Sequence, residues 1–244
     1  MPTVKLILEY DGTAYAGWQR QPDRPTIQEA IETSIQGVTQ TKVPVIGAGR
    51  TDAGVHALGQ TASFRIGRTM TPREWTRALN AHLPDTIVVR SAAIMPDEFH
   101  ARYSAKGKLY EYRLLNRGER PAVDRHYCWH IYKPLDDAAM NQAAMALIGS
   151  HDFSSFETQP TENDDPICHL QRLAVYRQGD RLRIEAYADR FLKQMVRSIV
   201  GTLVEVGLNK RPPDSLNAVL DTRSRSAAGK TAPPQGLFLM RVDY

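Results

Sequence analysis

One element order, strand-helix-strand-strand-helix-strand, is legible twice along this 244-residue chain, and it constrains the fold more than any other feature. Residues 3 to 10 place Val4, Leu6, Leu8 and Tyr10 on one face and Lys5, Ile7 and Glu9 on the other, the period of a half-buried strand. Residues 11 to 25, rich in Gly, Pro, Asp and Gln, read as a loop. Thr26 with Glu29 suggests a capping box, and Ile27, Ala30, Ile31, Ile35 and Val38 recur at helical spacing, so the pattern predicts a helix over 27–39. Short strands follow at 43–46 and 58–64. Thr71, Pro72 and Glu74 announce a second helix, because proline at the first helical position loses no hydrogen bond, and a strand at 87–94 closes the half.

The second half opens with a strand at 106–115 and a shorter one at 128–132. A helix over 136–148, a hairpin of 170–176 and 182–188 around Gln178-Gly179-Asp180, a long helix over 192–206, a short helix near 215–220 and a last strand at 237–242 complete it. Counted from Cys128, the order of the first half returns. The expected fold is therefore α+β: two tandem ferredoxin-like βαββαβ units joined through a continuous, mostly antiparallel sheet, with helices on one side and the active-site groove between the units. The expected division is 1–101 and 102–244, with no Gly/Ser-rich linker between.

A hydrophobic content of 42% with 24% charged residues belongs to a globular chain, not a disordered one. No apolar run is long enough to cross a bilayer and the start Met-Pro-Thr-Val-Lys shows no long apolar core behind a basic segment, so no membrane association and a cytoplasmic location are expected. Cys128 and Cys168 show no paired spacing and are expected to be reduced and buried. The net charge is +4, and the stretch 99–126 alone carries seven cations against three anions. Arginine outnumbers lysine 23 to 8, a bias that suits phosphate and base recognition and equally a compositional habit of the source. Residues 136–166 hold seven acids and no base, so they are not expected against phosphate.

The chemistry-bearing candidates lie in three places. Gly47-Ala-Gly-Arg-Thr-Asp-Ala-Gly-Val-His56 presents Asp52 in a glycine-bracketed turn, with Arg50 and His56 nearby. Its spacing is neither the dinucleotide fingerprint nor a P-loop, and aspartates in tight turns commonly just shape the turn. Tyr110 and Tyr112 alternate between Lys108 and Arg113, as in sheets that stack bases and hold phosphates, although tyrosines of a sheet core share that spacing. Arg197 sits among Met195, Val196, Ile199 and Val200; pointing outward it is solvated, and pointing inward it needs a carboxylate. His126, Cys128 and His130 alternate too, but one short strand does not complete a metal shell, and no metal is expected.

Five ordered motifs then carry a family resemblance over nearly the whole chain: Leu8-Glu-Tyr-Asp-Gly-Thr-Ala-Tyr-Ala-Gly-Trp-Gln-Arg-Gln21, Gly49-Arg-Thr-Asp-Ala-Gly-Val-His-Ala57, Phe99-His-Ala-Arg-Tyr-Ser-Ala105, Met195-Val-Arg-Ser-Ile-Val-Gly201 and Gly236-Leu-Phe-Leu239. Together they resemble the bacterial tRNA pseudouridine synthase A family. The resemblance implies an isomerase that converts uridine to pseudouridine at positions 38, 39 and 40 of the tRNA anticodon stem-loop and works as a homodimer. By the same resemblance Asp52 is the nucleophile, Tyr110 stacks on the flipped base, Arg197 is the basic partner of the aspartate, and Arg50 helps hold the extruded nucleotide. The reaction conserves atoms, so no cofactor is expected. Two departures stand out: Lys193-Gln194-Met195 replaces a His-containing run, and the loop 162–165 is acidic where relatives often carry arginine.

Two other readings compete with this one. A non-catalytic RNA-binding protein of tandem modules would tolerate loss of Asp52. A carboxylate-nucleophile hydrolase ordinarily needs a second carboxylate at defined spacing, and none stands out beside Asp52.

Overall fold

The computed structural model describes residues 1–160 and 165–244, so most of the acidic loop at 162–165 lies outside the described residues. Along the chain run β1 (Thr3–Tyr10), α1 (Ile27–Thr39), β2 (Ile46–Gly47), β3 (His56–Arg65), α2 (Pro72–Asn80), β4 (Ile87–Met95), β5 (Gly107–Asn116), β6 (Trp129–Ile131), α3 (Asp137–Met145), β7 (Gly149–Asp152), β8 (Ile167–Gln178), β9 (Arg181–Ala188), α4 (Met195–Gly207), α5 (Ser215–Thr222) and β10 (Leu237–Asp243). The result is a mixed fold whose strand pairs are mostly antiparallel. The contacts divide it into two compact units, one of Met1–Lys106 with Phe238–Tyr244 and one of Gly107–Leu237.

In the first unit β1 lies between β4 and β3, antiparallel to both. The opposite edge of β3 is shared: β2 pairs antiparallel at Ala62 and Ser63, and β10 runs parallel beside His56 and Ala57. One face of β1, carrying Val4, Leu6, Leu8 and Tyr10, is buried together with Ile27, Ile31 and Ile35 of α1 and Trp75 and Leu79 of α2. Trp75 meets Phe64 edge-on, with ring centroids 5.3 Å apart. Both helices begin where their capping residues place them. Thr26 accepts the Glu29 N–H, and Thr71 and Glu74 form a reciprocal box ahead of Pro72. The strand expected at 43–46 shrinks to Ile46–Gly47, because Pro44 has no N–H to give a ladder.

In the second unit β9 lies between β5 and β8, and β7 pairs with β8. Tyr110, Tyr112 and Leu114 share one face of β5 with Ala186, Ile184 and Leu182 opposite them on β9, and all six are buried. The other face carries Glu111, Arg113, Arg183 and Glu185. Glu111 is 8% exposed and receives Arg113 Nε at 2.8 Å, with Arg183 Nε at 3.7 Å. Such alternation gives a sheet one apolar and one charged side.

Three expectations for this unit need correction. The strand partnering β9 is β5, ten residues long, whereas β6 has only three residues and runs parallel to the end of β5, so the second repeat is not headed by the strand near Cys128. A strand at Gly149–Asp152 was not anticipated, since Gly-Ser-His-Asp has no apolar alternation; its pairing comes from the backbone of β8, with the Ser150 hydroxyl 2.9 Å from His169 Nδ1 across the ladder. Helix α4 starts at Met195 rather than near 192, because Gln194 takes a left-handed conformation with φ of 60°. The hairpin turn is as read: Gln178 pairs with Arg181, and Gly179 supplies the positive φ.

Candidate active site

The turn that presents Asp52 is fixed by Tyr10 at the end of β1, by the loop that follows β1 and by its own hydrogen bond. On the N-terminal side the Thr51 hydroxyl lies 2.8 Å from the Tyr10 phenol, and the Thr51 carbonyl accepts the Trp18 N–H at 3.0 Å. Burial pushes the Tyr10 phenol up to about 12, against the smaller pull of its Thr51 and Gln60 hydrogen bonds, so it remains a neutral hydrogen-bonding group at neutral pH. Gln60 Nε2 donates to the Gly49 carbonyl at 2.8 Å, and Ala48 N–H donates to Thr61 at 2.8 Å. On the C-terminal side Val55 N–H closes the turn onto the Asp52 carbonyl at 3.1 Å.

Close backbone approach explains the glycines of the flanking loop. A Cβ on Gly17, whose φ is +99°, would lie 2.6 Å from the Thr51 carbonyl oxygen, and one on Gly12 would lie 2.0 Å from that of Val55. The two glycines let the loop of 11–18 press directly on the turn of 51–55. Asp52 itself is half-buried between these clamps. The arrangement fixes the backbone that carries Asp52, which a group acting on one atom of a bound substrate requires.

Arg50 is exposed in the same loop, with Nε donating to Gln19 Oε1 at 3.1 Å. Both residues belong to the first unit, while Tyr110 and Arg197 belong to the second. Tyr110 is 7% exposed, and Phe191 stands edge-on to its ring at 5.2 Å. Tyr112 is wholly buried, gives its phenolic proton to the Pro233 carbonyl at 2.7 Å and packs against the backbone of Gly236. Its phenol is pushed up by burial, and the positive charge of Arg197 partly opposes that. Of the alternating tyrosines, Tyr112 is thus an internal strut.

Arg197 sits in the first turn of α4 and is half-buried. Its Nε donates to the Ala232 carbonyl at 2.8 Å, and its own carbonyl accepts the Ala232 N–H at 3.0 Å. The segment 229–233 is thereby laid along the helix, with the Gly229 N–H also donating to the Thr202 hydroxyl at 2.9 Å. This strap orients the guanidinium. Sequence spacing gave no sign of it, since 35 residues separate Arg197 from Ala232.

His126, Cys128 and His130 do not converge. The Cys128 thiol donates to the Asp124 carbonyl at 3.3 Å, and His130 Nε2 lies 2.8 Å from the Arg117 carbonyl. Among the described residues no group of three His, Cys, Asp or Glu is placed to hold a metal ion, and no helix is long and apolar enough to cross a membrane. Cys128 and Cys168 are both buried and unbridged.

The family model of tRNA pseudouridine synthases matches residues 6–104 and 143–244. Proteins called tRNA pseudouridine synthase A match along the full chain: 44% identity with that of Allorhizobium ampelinum, covering 100% of this chain and 95% of the relative. Those of Thermoanaerobacter sp. (strain X514) and Rhodopseudomonas palustris (strain BisA53) each show 46% identity, with 100% of both chains covered. The chain belongs to the tRNA pseudouridine synthase family, and so to the isomerases that make pseudouridine from uridine in tRNA. Within that family the full-length relatives just named are of the synthase A kind.

Proposed function

We propose that this chain isomerises uridines 38, 39 and 40 of the tRNA anticodon stem-loop, with the Asp52 carboxylate as nucleophile. The observation that carries the reading is the clamped Asp52 turn, held by Tyr10 and Trp18 at Thr51 and by Gly12 at Val55, in a chain of this family. Carboxylates are ordinarily ionised near neutral pH and need no general base to become nucleophiles. They do need a counterion once a bound nucleotide excludes water, because desolvation favours the protonated form. In this reading Arg197, aimed by the Ala232 strap, supplies that charge, and Arg50 holds the extruded nucleotide.

A base inside a stacked stem is out of reach of a carboxylate, so the target uridine must flip, at a cost of a few kcal/mol for unstacking. Tyr110 offsets part of that cost by stacking on the flipped uracil. Homodimeric assembly and a cytoplasmic location belong to the same reading and rest on the family resemblance. The alternative, a non-catalytic RNA binder, is disfavoured by family membership.

The reading is tested with tRNA transcripts that keep a single 5-tritiated uridine at 38, 39 or 40. Each is expected to release tritium, since the new carbon–carbon bond displaces the hydrogen at C5. A transcript with cytidine at all three positions and 5-tritiated uridine elsewhere is expected to release none. Release from that last transcript at a comparable rate would move the target elsewhere.

A further inference from the structure

His56 lies four residues beyond Asp52, is 1% exposed, and has no part in the chemistry proposed above. Its Nδ1 receives the Gly12 N–H at 3.1 Å in a buried setting. An N–H aimed at that nitrogen requires a lone pair there, which puts the ring proton on Nε2. Asp11 Oδ1 is 3.2 Å from the same nitrogen and also takes the Thr13 N–H at 2.9 Å and the Thr13 hydroxyl at 2.6 Å. The imidazole plane is held by Phe238, stacked at 4.7 Å and 24°.

The Gly12 amide is therefore fastened to His56 while its α-carbon rests on the Val55 carbonyl. Residues 55 and 56 are the near end of the turn whose other hydrogen bond, Val55 N–H to the Asp52 carbonyl, closes the backbone that carries Asp52. We infer that His56 is a positioning residue: by accepting the Gly12 N–H at Nδ1 it locks the loop of 11–18 to the Asp52 turn and holds the carboxylate in its reactive placement. The inference rests on the reading of Asp52 as nucleophile. It assigns His56 no contact with substrate, and it joins three of the motifs, those containing Gly12, His56 and Phe238, in one contact chain.

The test compares three variants by single-turnover rate on 5-tritiated tRNA and by tRNA affinity. Asn places an amide oxygen near the position of Nδ1, Gln places it near Nε2, and Leu fills space with no acceptor. His56→Leu and His56→Gln are expected to slow the chemical step about 10- to 100-fold while tRNA affinity stays within about twofold, the pattern of a misplaced reacting group. His56→Asn is expected to recover most of the rate. Equal rates for the Asn and Gln variants would overturn the inference even if the Leu variant fails to fold. So would a Leu variant as fast as the parent. Asp52→Asn run in parallel separates the two layers: if it is inactive and the His56 variants are all fast, only the positioning role falls, and if it is active, the nucleophile reading falls first.

Discussion

Asp52→Asn is expected to reduce tritium release from 5-labelled tRNA by at least about 10⁴-fold, the scale seen when a covalent nucleophile is removed. The substitution keeps the side-chain shape and removes only the charge. The turn should survive it, because its hydrogen bonds run from Val55 N–H to the Asp52 main-chain carbonyl and through Thr51. Affinity for tRNA should be unchanged or slightly higher, since a negative charge near phosphate is lost. Filter binding or fluorescence anisotropy at fixed salt, run beside the tritium assay, checks both halves. Retained catalysis, within about tenfold of the parent, would mean that Asp52 only shapes its turn.

Gly201→Ala is expected to destabilise the protein by about 3 kcal/mol, lowering the melting temperature by roughly 6–12 °C. A Cβ there would lie 1.7 Å from the Lys230 carbonyl oxygen and 3.3 Å from the Ala232 nitrogen, both backbone atoms. No rotamer change relieves such a clash, so the strap of 229–233 must move off α4. Helix propensity alone would favour alanine by about 1 kcal/mol, which makes the sign of the effect a clean test of the packing. Moving the strap also shifts the Ala232 carbonyl that aims Arg197, so activity should fall along with stability. Urea unfolding measures the loss, and a variant as stable as the parent would show that the strap is not held this tightly.

Elements with chemical punctuation were legible in the sequence. Thr26, Thr71, Pro72 and Glu74 marked two helix starts to the residue, and Gly179 marked the hairpin, because caps and positive-φ turns depend on residues adjacent in sequence. What failed to show depends on partners far away. The strand at Gly149–Asp152 exists because β8 offers it a ladder, and β6 looks like the head of a repeat until β5 is seen pairing with β9. Gln194 carries no sequence sign that it will take a left-handed conformation and delay α4.

The candidate site divides in the same way. Asp52, Arg50, Tyr110 and Arg197 were picked out by local pattern and given their roles by family resemblance, which transfers roles without geometry. The clamps came only from contacts across long separations, such as Tyr10 to Thr51, Gly12 to His56 and Arg197 to Ala232. Glycine is the one partial signal. Gly12 and Gly17 sit where backbone must touch backbone, and both already lie inside a motif.

The central claim, that this chain makes pseudouridine in the anticodon arm of tRNA through Asp52, is tested most directly by mapping pseudouridines in tRNA from cells lacking the gene. The map is taken before and after restoring either the parent chain or Asp52→Asn. The expected result is loss of pseudouridine at positions 38, 39 and 40 in the deletion, full return with the parent chain and no return with the variant. Return of those pseudouridines with Asp52→Asn, or their persistence in the deletion, would contradict it.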